Sequence, residues 1–242
     1  MKKLPLFLVA LCFFFSCTNE KTFKISGMLQ DFGNPNEPTM LYLKTRTVDD
    51  NVLVLDSALV DRDGKFSVKG KSSETDLYVL ADKDNAIVIR IFVDKGSKIS
   101  VNGSLTDFSN IKVEGSKSHS LYSKYLKSLV TIIEQQEQIR EYYFNISYNT
   151  YLSDSELEEL QEELVGKFEK LGEEGNKITL DFIAANPKSV VAAFLVYANM
   201  YKLGNSSEVE AQLQLLDTNA DNKYITLVKQ YIDILKKTEE AE

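Results

Sequence analysis

The sequence predicts an α+β fold in which an antiparallel, sandwich-like β domain of about eight strands precedes an all-α domain of about five helices. Two observations support this prediction. Residues 23–116 contain short apolar segments separated by glycine, asparagine and aspartate, which is typical of strands joined by tight turns. From residue 117 onward the apolar side chains recur every three or four positions, as in an amphipathic helix. We therefore place the domain boundary after residue 116.

The strands are predicted from apolar segments that end at turn-forming residues. The first strand begins at Phe23, and we expect Gly27 to interrupt it. Asp63 and Gly64 form a strong hairpin-turn signal between the third and fourth strands. Residues 86–93 are the most continuously apolar segment, so we expect them to form a central strand. The remaining strands are predicted at residues 40–43, 52–60, 65–68, 77–80, 99–101 and 111–113.

The helical half begins with two long amphipathic segments. The first is predicted from side chains that step by three and four along one face: Tyr125, Leu129, Ile132, Gln136, Ile139, Tyr143 and Ile146. Ser153 and Glu156 have the spacing of a capping box, so we expect a second helix to begin there. The apolar face of that helix is predicted to contain Leu157, Leu160, Leu164, Phe168, Leu171, Ile178 and Phe182.

Three shorter helices complete the predicted architecture. Pro187 is expected near the first position of the third helix, which we place at residues 189–201. Ser207 and Glu210 have the spacing of a cap for a short fourth helix. Asp221 precedes the segment predicted to form the fifth.

The N-terminus has the organisation of an export signal. Lys2 and Lys3 form a basic segment, and residues 4–15 are continuously apolar. This apolar segment is shorter than the roughly 20 residues that span a membrane, and it is typical of a signal peptide. Ser16 and Cys17 follow it, and the chain then becomes polar. The pattern resembles a bacterial lipoprotein signal, in which cleavage precedes a cysteine that carries acyl chains.

This resemblance predicts a location and a division of the chain. Acylation of Cys17 would anchor the protein in the membrane of the cell envelope. Thr18 after the cysteine favours the outer membrane, facing the periplasm, and exposure at the cell surface stays open. An ordinary secretory signal, which would lose the anchor, and a buried apolar segment are the alternatives. The predicted parts are a signal peptide at 1–16, a tether at 17–22, a β domain at 23–116 and a helical domain at 117–242.

Composition excludes several classes of function. The chain has 28 basic and 36 acidic residues, and a surface of that charge disfavours binding to nucleic acid. It contains one histidine and two cysteines. Cleavage before Cys17 would remove Cys12, and acylation would use the remaining thiol. A disulfide, a redox Cys-x-x-Cys site and a cysteine nucleophile are then excluded. We expect no catalytic residue, no bound metal and no cofactor.

Three polar features suggest chemistry but are expected to be structural. His119 has neither an acidic partner nor a nucleophile motif beside it, so we expect it at the start of a helix. The Asp-Arg-Asp-Gly sequence at 61–64 is similar to a calcium loop, but Lys65 occupies the next ligand position, which favours a turn. The glutamates of the second helix are expected on a solvated face; they include Glu158, Glu159, Glu162 and Glu163.

One cluster of aromatic residues has the character of a recognition surface. It consists of Tyr142, Tyr143, Phe144, Tyr148 and Tyr151. Tyrosine offers a large apolar area with a polar tip, which suits the surface of a partner protein or the face of a carbohydrate. The alternative is that about half of these side chains pack onto the β domain or onto neighbouring helices.

Several short motifs carry a family resemblance. They are FKISG ending at Gly27, MLYL ending at Leu43, LDSA ending at Ala58, DGKFSVKG ending at Gly70 and FVDKG ending at Gly96. In this order they resemble the N-terminal β-rich domain of unknown function in bacterial envelope thiol-disulfide oxidoreductases of the TlpA-like, thioredoxin-fold type. The helical half, with IAANPKSV ending at Val190 and YIDILKK ending at Lys237, is similar to the spacer in the same proteins.

The resemblance implies a structural relationship without the chemistry. In those oxidoreductases a thioredoxin domain with a Cys-x-x-Cys motif follows the spacer, whereas this sequence ends at Glu242. No catalytic residue of the family has a counterpart here. We therefore expect a non-catalytic, membrane-anchored binding or assembly module. The alternative is an accessory subunit that positions a separately encoded thioredoxin-like oxidoreductase. A hydrolase or a glycan-active enzyme would require a polar pocket between the two halves.

Overall fold

The computed structural model describes residues 20–31, 39–49, 51–85, 88–105, 110–148, 152–218 and 222–240. Within these residues eight strands precede five helices, which confirms the predicted α+β fold. The change from strand to helix lies between Glu114 and Lys117. The strands are Lys21–Gln30 (β1), Met40–Arg46 (β2), Val52–Leu59 (β3), Lys65–Ser72 (β4), Asp76–Ala81 (β5), Val88–Val93 (β6), Lys98–Ser104 (β7) and Lys112–Glu114 (β8).

The strands form two four-stranded sheets. In the first sheet the order is β4-β1-β7-β8, and in the second it is β3-β2-β5-β6. All pairs are antiparallel except β1 and β7, which run parallel. The apolar faces of the two sheets enclose one core; its fully buried side chains include Phe23, Ile25, Leu41, Leu43, Leu80 and Ile91.

Gly27 does not interrupt the first strand, contrary to the prediction. β1 continues through it and pairs with β4 on one side and with β7 on the other. A Cβ atom at Gly27 would lie 1.7 Å from the carbonyl oxygen of Val101 in β7. Glycine is therefore needed here because the neighbouring backbone leaves no room for a side chain.

The predicted hairpin at Asp63 and Gly64 is correct as a turn but wrong as a connection within one sheet. Gly64 has φ +79°, and its N–H donates to the carbonyl oxygen of Asp61 at 2.9 Å. The strands that the turn joins belong to different sheets. Asp56 in β3 links them again, because its Oδ2 accepts a hydrogen bond from the backbone N–H of Lys69 in β4 at 2.7 Å.

β6 is an edge strand rather than the expected central one. Its apolar character has a different cause, because both of its faces are covered. Ile89, Ile91 and Val93 belong to the core between the sheets, whereas Phe92 belongs to the core of the helical region. The continuous apolar sequence of β6 is therefore explained by contact with two cores, and not by two neighbouring strands in the sheet. Residues 86 and 87 of the predicted strand lie outside the described part of the chain.

The helices are Lys117–Ser147 (α1), Asp154–Ala185 (α2), Val190–Met200 (α3), Ser206–Leu213 (α4) and Lys223–Glu239 (α5). The capping box predicted for α2 is confirmed, with Ser153 and Glu156 bonding to each other's backbone N–H groups. Pro187 precedes α3 instead of opening it, because the Ser189 side chain caps that helix.

The predicted cap of α4 is wrong. Asn205 caps this helix by accepting a hydrogen bond from the backbone N–H of Glu208. Ser206, the first residue of the helix, is held by α5 instead, because its N–H and its hydroxyl both donate to the Glu239 carboxylate. The cap of α5 is Asn222, and Asp221 lies outside the described residues.

α1 and α2 form an antiparallel helical hairpin. The hydroxyl groups of Tyr125 and Thr179 are 3.0 Å apart at the end near the sandwich, and Gln161 donates to the Ser147 hydroxyl at the other end. The inner residues Leu129, Ile132, Gln136 and Ile139 are only half-buried. Two helices alone cannot enclose their apolar faces, so this hairpin extends away from the core formed by α3, α4 and α5.

Candidate functional site

A cleft of about 420 Å³ lies where the second sheet meets the helices. Its lining comes from β2, β3, β5 and β6 on one side and from α3 and α5 on the other. Leu77 and Val79 of β5 alternate with the core residues Tyr78 and Leu80, so they face the helices. The cleft is therefore a product of the contact between the two halves of the chain.

A buried charge network holds the two halves together beside the cleft. Asp76 accepts hydrogen bonds from the ammonium group of Lys223 at 2.5 Å, from the hydroxyl of Tyr224 at 2.7 Å and from the hydroxyl of Thr45 at 3.0 Å. Lys223 also donates to the carbonyl oxygen of Arg46. Asp76 is 7% exposed. Burial and the nearby Asp76 carboxylate raise the pKa of Tyr224, so it stays a donor.

The remaining lining of the cleft combines positive charge with apolar side chains. The basic residues are Lys44, Arg46, Arg90 and Lys223, and none of the described lining residues is acidic. Lys44 donates to the side-chain oxygen of Asn85 at 2.9 Å. The helical wall contains Phe194, Tyr197, Tyr224 and Leu227.

The N-terminus of α1 is occupied by a carboxylate of the chain itself. Asp94 accepts hydrogen bonds from the backbone N–H of Lys117 at 2.6 Å and from the hydroxyls of Ser116 and Ser118 at 3.0 and 2.6 Å. Partial burial opposes ionisation of Asp94, but these hydrogen bonds lower its pKa below the ordinary value. Because this carboxylate satisfies the helix end, we assign Asp94 a structural role.

His119 is buried beside this helix start, in agreement with the structural role predicted for it. Its Nδ1 accepts the backbone N–H of Phe92 at 3.4 Å, which places the ring proton on Nε2. Burial lowers the pKa of His119 from 6.5 to about 4. The ring is therefore neutral at physiological pH and serves as a hydrogen-bond acceptor for β6.

We expect the neutral state of His119 to make folding sensitive to acid. The pKa is lower in the folded protein than in the unfolded chain, so stability is complete above pH 6.5 and decreases as the pH falls towards 4. Between pH 7.5 and 5 the His119 contribution to the free energy of unfolding should fall by about 2 kcal/mol. Urea unfolding at both pH values measures this change. His119→Asn keeps an acceptor without a titrating ring, and an unchanged pH dependence in that variant would contradict the assignment.

The predicted aromatic cluster lies at the end of the hairpin far from the sandwich. Tyr142 and Tyr143 are exposed, as are Phe144 at 62% and Tyr148 at 73%. The rings of Phe144 and Tyr148 are in contact, with centroids 5.0 Å apart. Tyr151 lies outside the described residues. The alternative, in which about half of the cluster packs inward, does not hold for these four side chains, which are all exposed.

Acidic residues are concentrated in the part of α2 that pairs with this end of α1. The first three turns of α2 approach Ser147, to which Gln161 donates a hydrogen bond. The acidic side chains in this stretch are Asp154, Glu156, Glu158, Glu159, Glu162 and Glu163, all in exposed positions. Their exposure agrees with the solvated face predicted for the glutamates. The hairpin therefore ends with exposed aromatic side chains on α1 beside the acidic first turns of α2, and Tyr142 also lies near Lys167 and Lys170 of α2.

The local geometry at residues 61–64 supports a turn rather than a calcium loop. One carboxylate oxygen of Asp61 accepts the backbone N–H groups of Asp63 and Lys65 at 2.9 and 2.8 Å, while Lys65 pairs with the Asp63 carboxylate at 3.0 Å. The carboxylates of Asp61 and Asp63 therefore bond to groups within the turn. In the described part of the chain, no three histidine, cysteine, aspartate or glutamate side chains come together as potential metal ligands.

Cys17 and the predicted signal peptide at residues 1–16 lie outside the described residues. Among the helices that are described, none combines the length and the apolar character needed to cross a membrane.

Comparison with known proteins assigns a family to the β region. Residues 23–122 match the family model of a domain of unknown function, DUF4369. The match extends from β1 beyond the last strand and ends at Tyr122 of α1, so it includes Asp76, Asp94 and His119. No curated protein and no solved structure matches the chain.

Sequence patterns did not reveal the cleft between the region that matches the DUF4369 model and the helices. Asp76 and Lys223 are 147 positions apart, and neither stands in a motif. The cationic residues of the lining come from two strands, β2 and β6, and one helix, α5. The one available signal was Lys223 at the start of α5, where a cation is unfavourable unless a carboxylate lies nearby.

Proposed function

We propose that this protein is a non-catalytic, membrane-anchored lipoprotein of the cell envelope that binds a partner protein through the end of its helical hairpin. The observation that carries the proposal is the exposed aromatic cluster of Tyr142, Tyr143, Phe144 and Tyr148. We call these four residues the distal aromatic surface. Phe144 lies about 33 Å along the helix from Tyr122, which is packed in the core.

The position of the distal aromatic surface supports a role in recognition. Aromatic side chains are enriched at protein interfaces, and two-torsion side chains lose little entropy when they are buried there. The surface lies on a helix that pairs with a second helix over its length, so it is presented on a regular scaffold. Packing inside this chain does not explain why Phe144 and Tyr148, whose rings are in contact, remain exposed.

The surrounding charge indicates the chemistry of the partner. Phe144 and Tyr148 form the apolar centre, and the carboxylates of the first turns of α2 form the border. A complementary partner has an apolar groove with lysine or arginine at its rim. Exposed border charges mainly accelerate association, whereas burial of the aromatic rings supplies most of the affinity.

The leader sequence supports the anchor. Residues 1–17 have the pattern of a lipoprotein signal, and several acyl chains on Cys17 would hold the protein stably on a membrane. The motif resemblance to the front of envelope thiol-disulfide oxidoreductases favours a thioredoxin-like protein as one partner. In that case the hairpin would position an enzyme encoded separately.

Site-specific photocrosslinking in intact cells tests this function. We place a photoreactive amino acid at Tyr148 and, as a control, at Glu134, which is exposed on the same helix about 21 Å away. A discrete protein adduct is expected from Tyr148 and not from Glu134. Adding Phe144→Ser should reduce the adduct at least about tenfold, since buried aromatic side chains dominate interface energetics.

Further results test the recognition surface, the lipid anchor and the identity of the partner separately. Equal adducts from both positions, or an adduct unaffected by Phe144→Ser, would contradict recognition by the distal aromatic surface. Cys17→Ala should abolish palmitate labelling and release the protein from the membrane fraction; continued membrane binding would exclude the lipid anchor. Identification of the adduct by mass spectrometry distinguishes a thioredoxin-like partner from any other envelope protein.

A further inference from the structure

The cleft between the second sheet and the helices has the dimensions of a small-molecule site. Its volume of about 420 Å³ falls within the usual range for such sites, about 300–1,000 Å³. It lies at the contact between two differently built halves of a chain, where ligand sites commonly occur. The distal aromatic surface is on another part of the molecule, so this inference is independent of the proposed function.

The helical wall of the cleft is apolar and preorganised. The ring of Tyr224 lies 5.4 Å from that of Phe194 and 5.5 Å from that of Tyr197, measured between centroids. Phe194 also contacts Phe92 and Tyr122 in the core, which restricts its movement. Opposite these rings, Leu77 and Val79 present aliphatic side chains from β5. A ligand can bury an apolar body here without rearranging the wall.

Positive charge is concentrated at the same place although the chain as a whole is acidic. Four basic residues line the cleft, in a protein whose formal charge is −8. Asp76 neutralises Lys223. Lys44 donates to an uncharged amide oxygen, and Arg90 is exposed at the cleft. The cleft therefore offers an electrostatic attraction for anions that overall composition does not predict.

The apolar wall and the positive charge of the cleft together indicate the chemical class of its ligand. A purely apolar molecule would cover Lys44 and Arg90 without providing a partner for their charge, which is costly. A small inorganic anion would leave the aromatic wall in contact with water. We propose that the cleft binds a small amphipathic anion, a carboxylate or a phosphate monoester attached to an aromatic or aliphatic body.

Calorimetric titration tests the proposal with defined probes. Full-length protein in lipid nanodiscs is titrated with 3-phenylpropionate, and empty nanodiscs serve as the reference. We expect saturable binding of one molecule per chain. The neutral analogue 3-phenyl-1-propanol should bind at least about tenfold more weakly, because it has no charge for the cations. Acetate, which has the charge without the apolar body, should give no saturable binding.

Matched variants assign the binding to the cleft. Arg90→Gln should weaken 3-phenylpropionate binding at least about fivefold, whereas Arg62→Gln in the distant 61–64 turn should not. Val52→Glu places a negative charge in the cleft lining and should weaken binding similarly. Leu59→Glu is its control, since the two side chains are 59% and 53% exposed on the same strand, about 23 Å apart.

Each result supports or overturns the proposal. Absence of saturable binding for every anionic probe would overturn it. So would equal affinity for the alcohol and the carboxylate, or equal effects of the cleft variants and their controls. Octanoate and phenyl phosphate are tested in the same way. Tighter binding of octanoate indicates a lipid-derived ligand, and tighter binding of phenyl phosphate indicates a phosphate monoester; both support the amphipathic anion.

Discussion

Asp76→Ala is expected to lower the free energy of unfolding by about 3–5 kcal/mol, because it leaves the ammonium group of Lys223 buried without its counter-ion. Both side chains are about one-tenth exposed or less. The hydroxyl of Tyr224 also loses its acceptor, and an unsatisfied buried donor adds to the cost, whereas the Thr45 hydroxyl keeps the carbonyl oxygen of Leu77 at 3.2 Å. Urea unfolding at pH 7.5, followed by circular dichroism, measures the change.

A double variant separates the loss of the pair from the presence of an unpaired charge. Asp76→Ala combined with Lys223→Met removes both charges, and we expect it to be more stable than Asp76→Ala alone. Asp63→Ala removes a solvent-exposed pair with Lys65 and should lower the free energy of unfolding far less than Asp76→Ala. A loss of similar size for Asp76→Ala and Asp63→Ala would show that the Asp76 network contributes no more than a surface ion pair.

The Asp76 network illustrates which parts of the structure follow from sequence patterns. The Ser153–Glu156 cap and the eight strand segments depend on neighbours a few positions away, so local residue types predict them. The contact of Asp76 with Lys223 depends on how two folded halves meet. The pattern of apolar residues in a strand or a helix indicates which of its faces is buried. It does not indicate which face of another element that buried face contacts.

The order of the strands could not be predicted for the same reason. The continuous apolar run around Phe92 is compatible with two neighbouring strands or with two different cores. Only the position of α1 against β6 decides between them. The parallel pairing of β1 with β7 likewise connects segments far apart in the sequence. Its one local sign is Gly27, and a glycine within a strand pattern is equally compatible with an interruption of the strand.

The motifs that suggested a family relationship have structural roles. Asp56 of the LDSA motif binds the backbone of β4, and Gly64 of the next motif forms the turn between the sheets. Asp94 of the FVDKG motif caps α1. Such motifs preserve a scaffold that includes the start of the first helix. The DUF4369 match likewise extends past the last strand and ends within α1.

Phe92→Ala is expected to cost about 3–5 kcal/mol of stability and to loosen the helices more than the sandwich. Phe92 is fully buried, projects from β6 into the helical core, and has its ring 5.2 Å from Tyr122 and 5.5 Å from Phe194. Its removal leaves a cavity between the two halves. Phe23→Ala is the matched control, because Phe23 is the same residue type, is 1% exposed and lies in the core between the sheets.

Hydrogen exchange followed by mass spectrometry distinguishes the two variants. Phe92→Ala should increase exchange in α3 and in the first turns of α1, while the amides of β1 and β4 stay protected. Phe23→Ala should have the reverse distribution. An equal increase in both regions for both variants would mean that sandwich and helices unfold as one cooperative unit. The separate cores argue against that outcome, because Phe92 is the one fully buried sheet residue assigned to the helical core in the described structure.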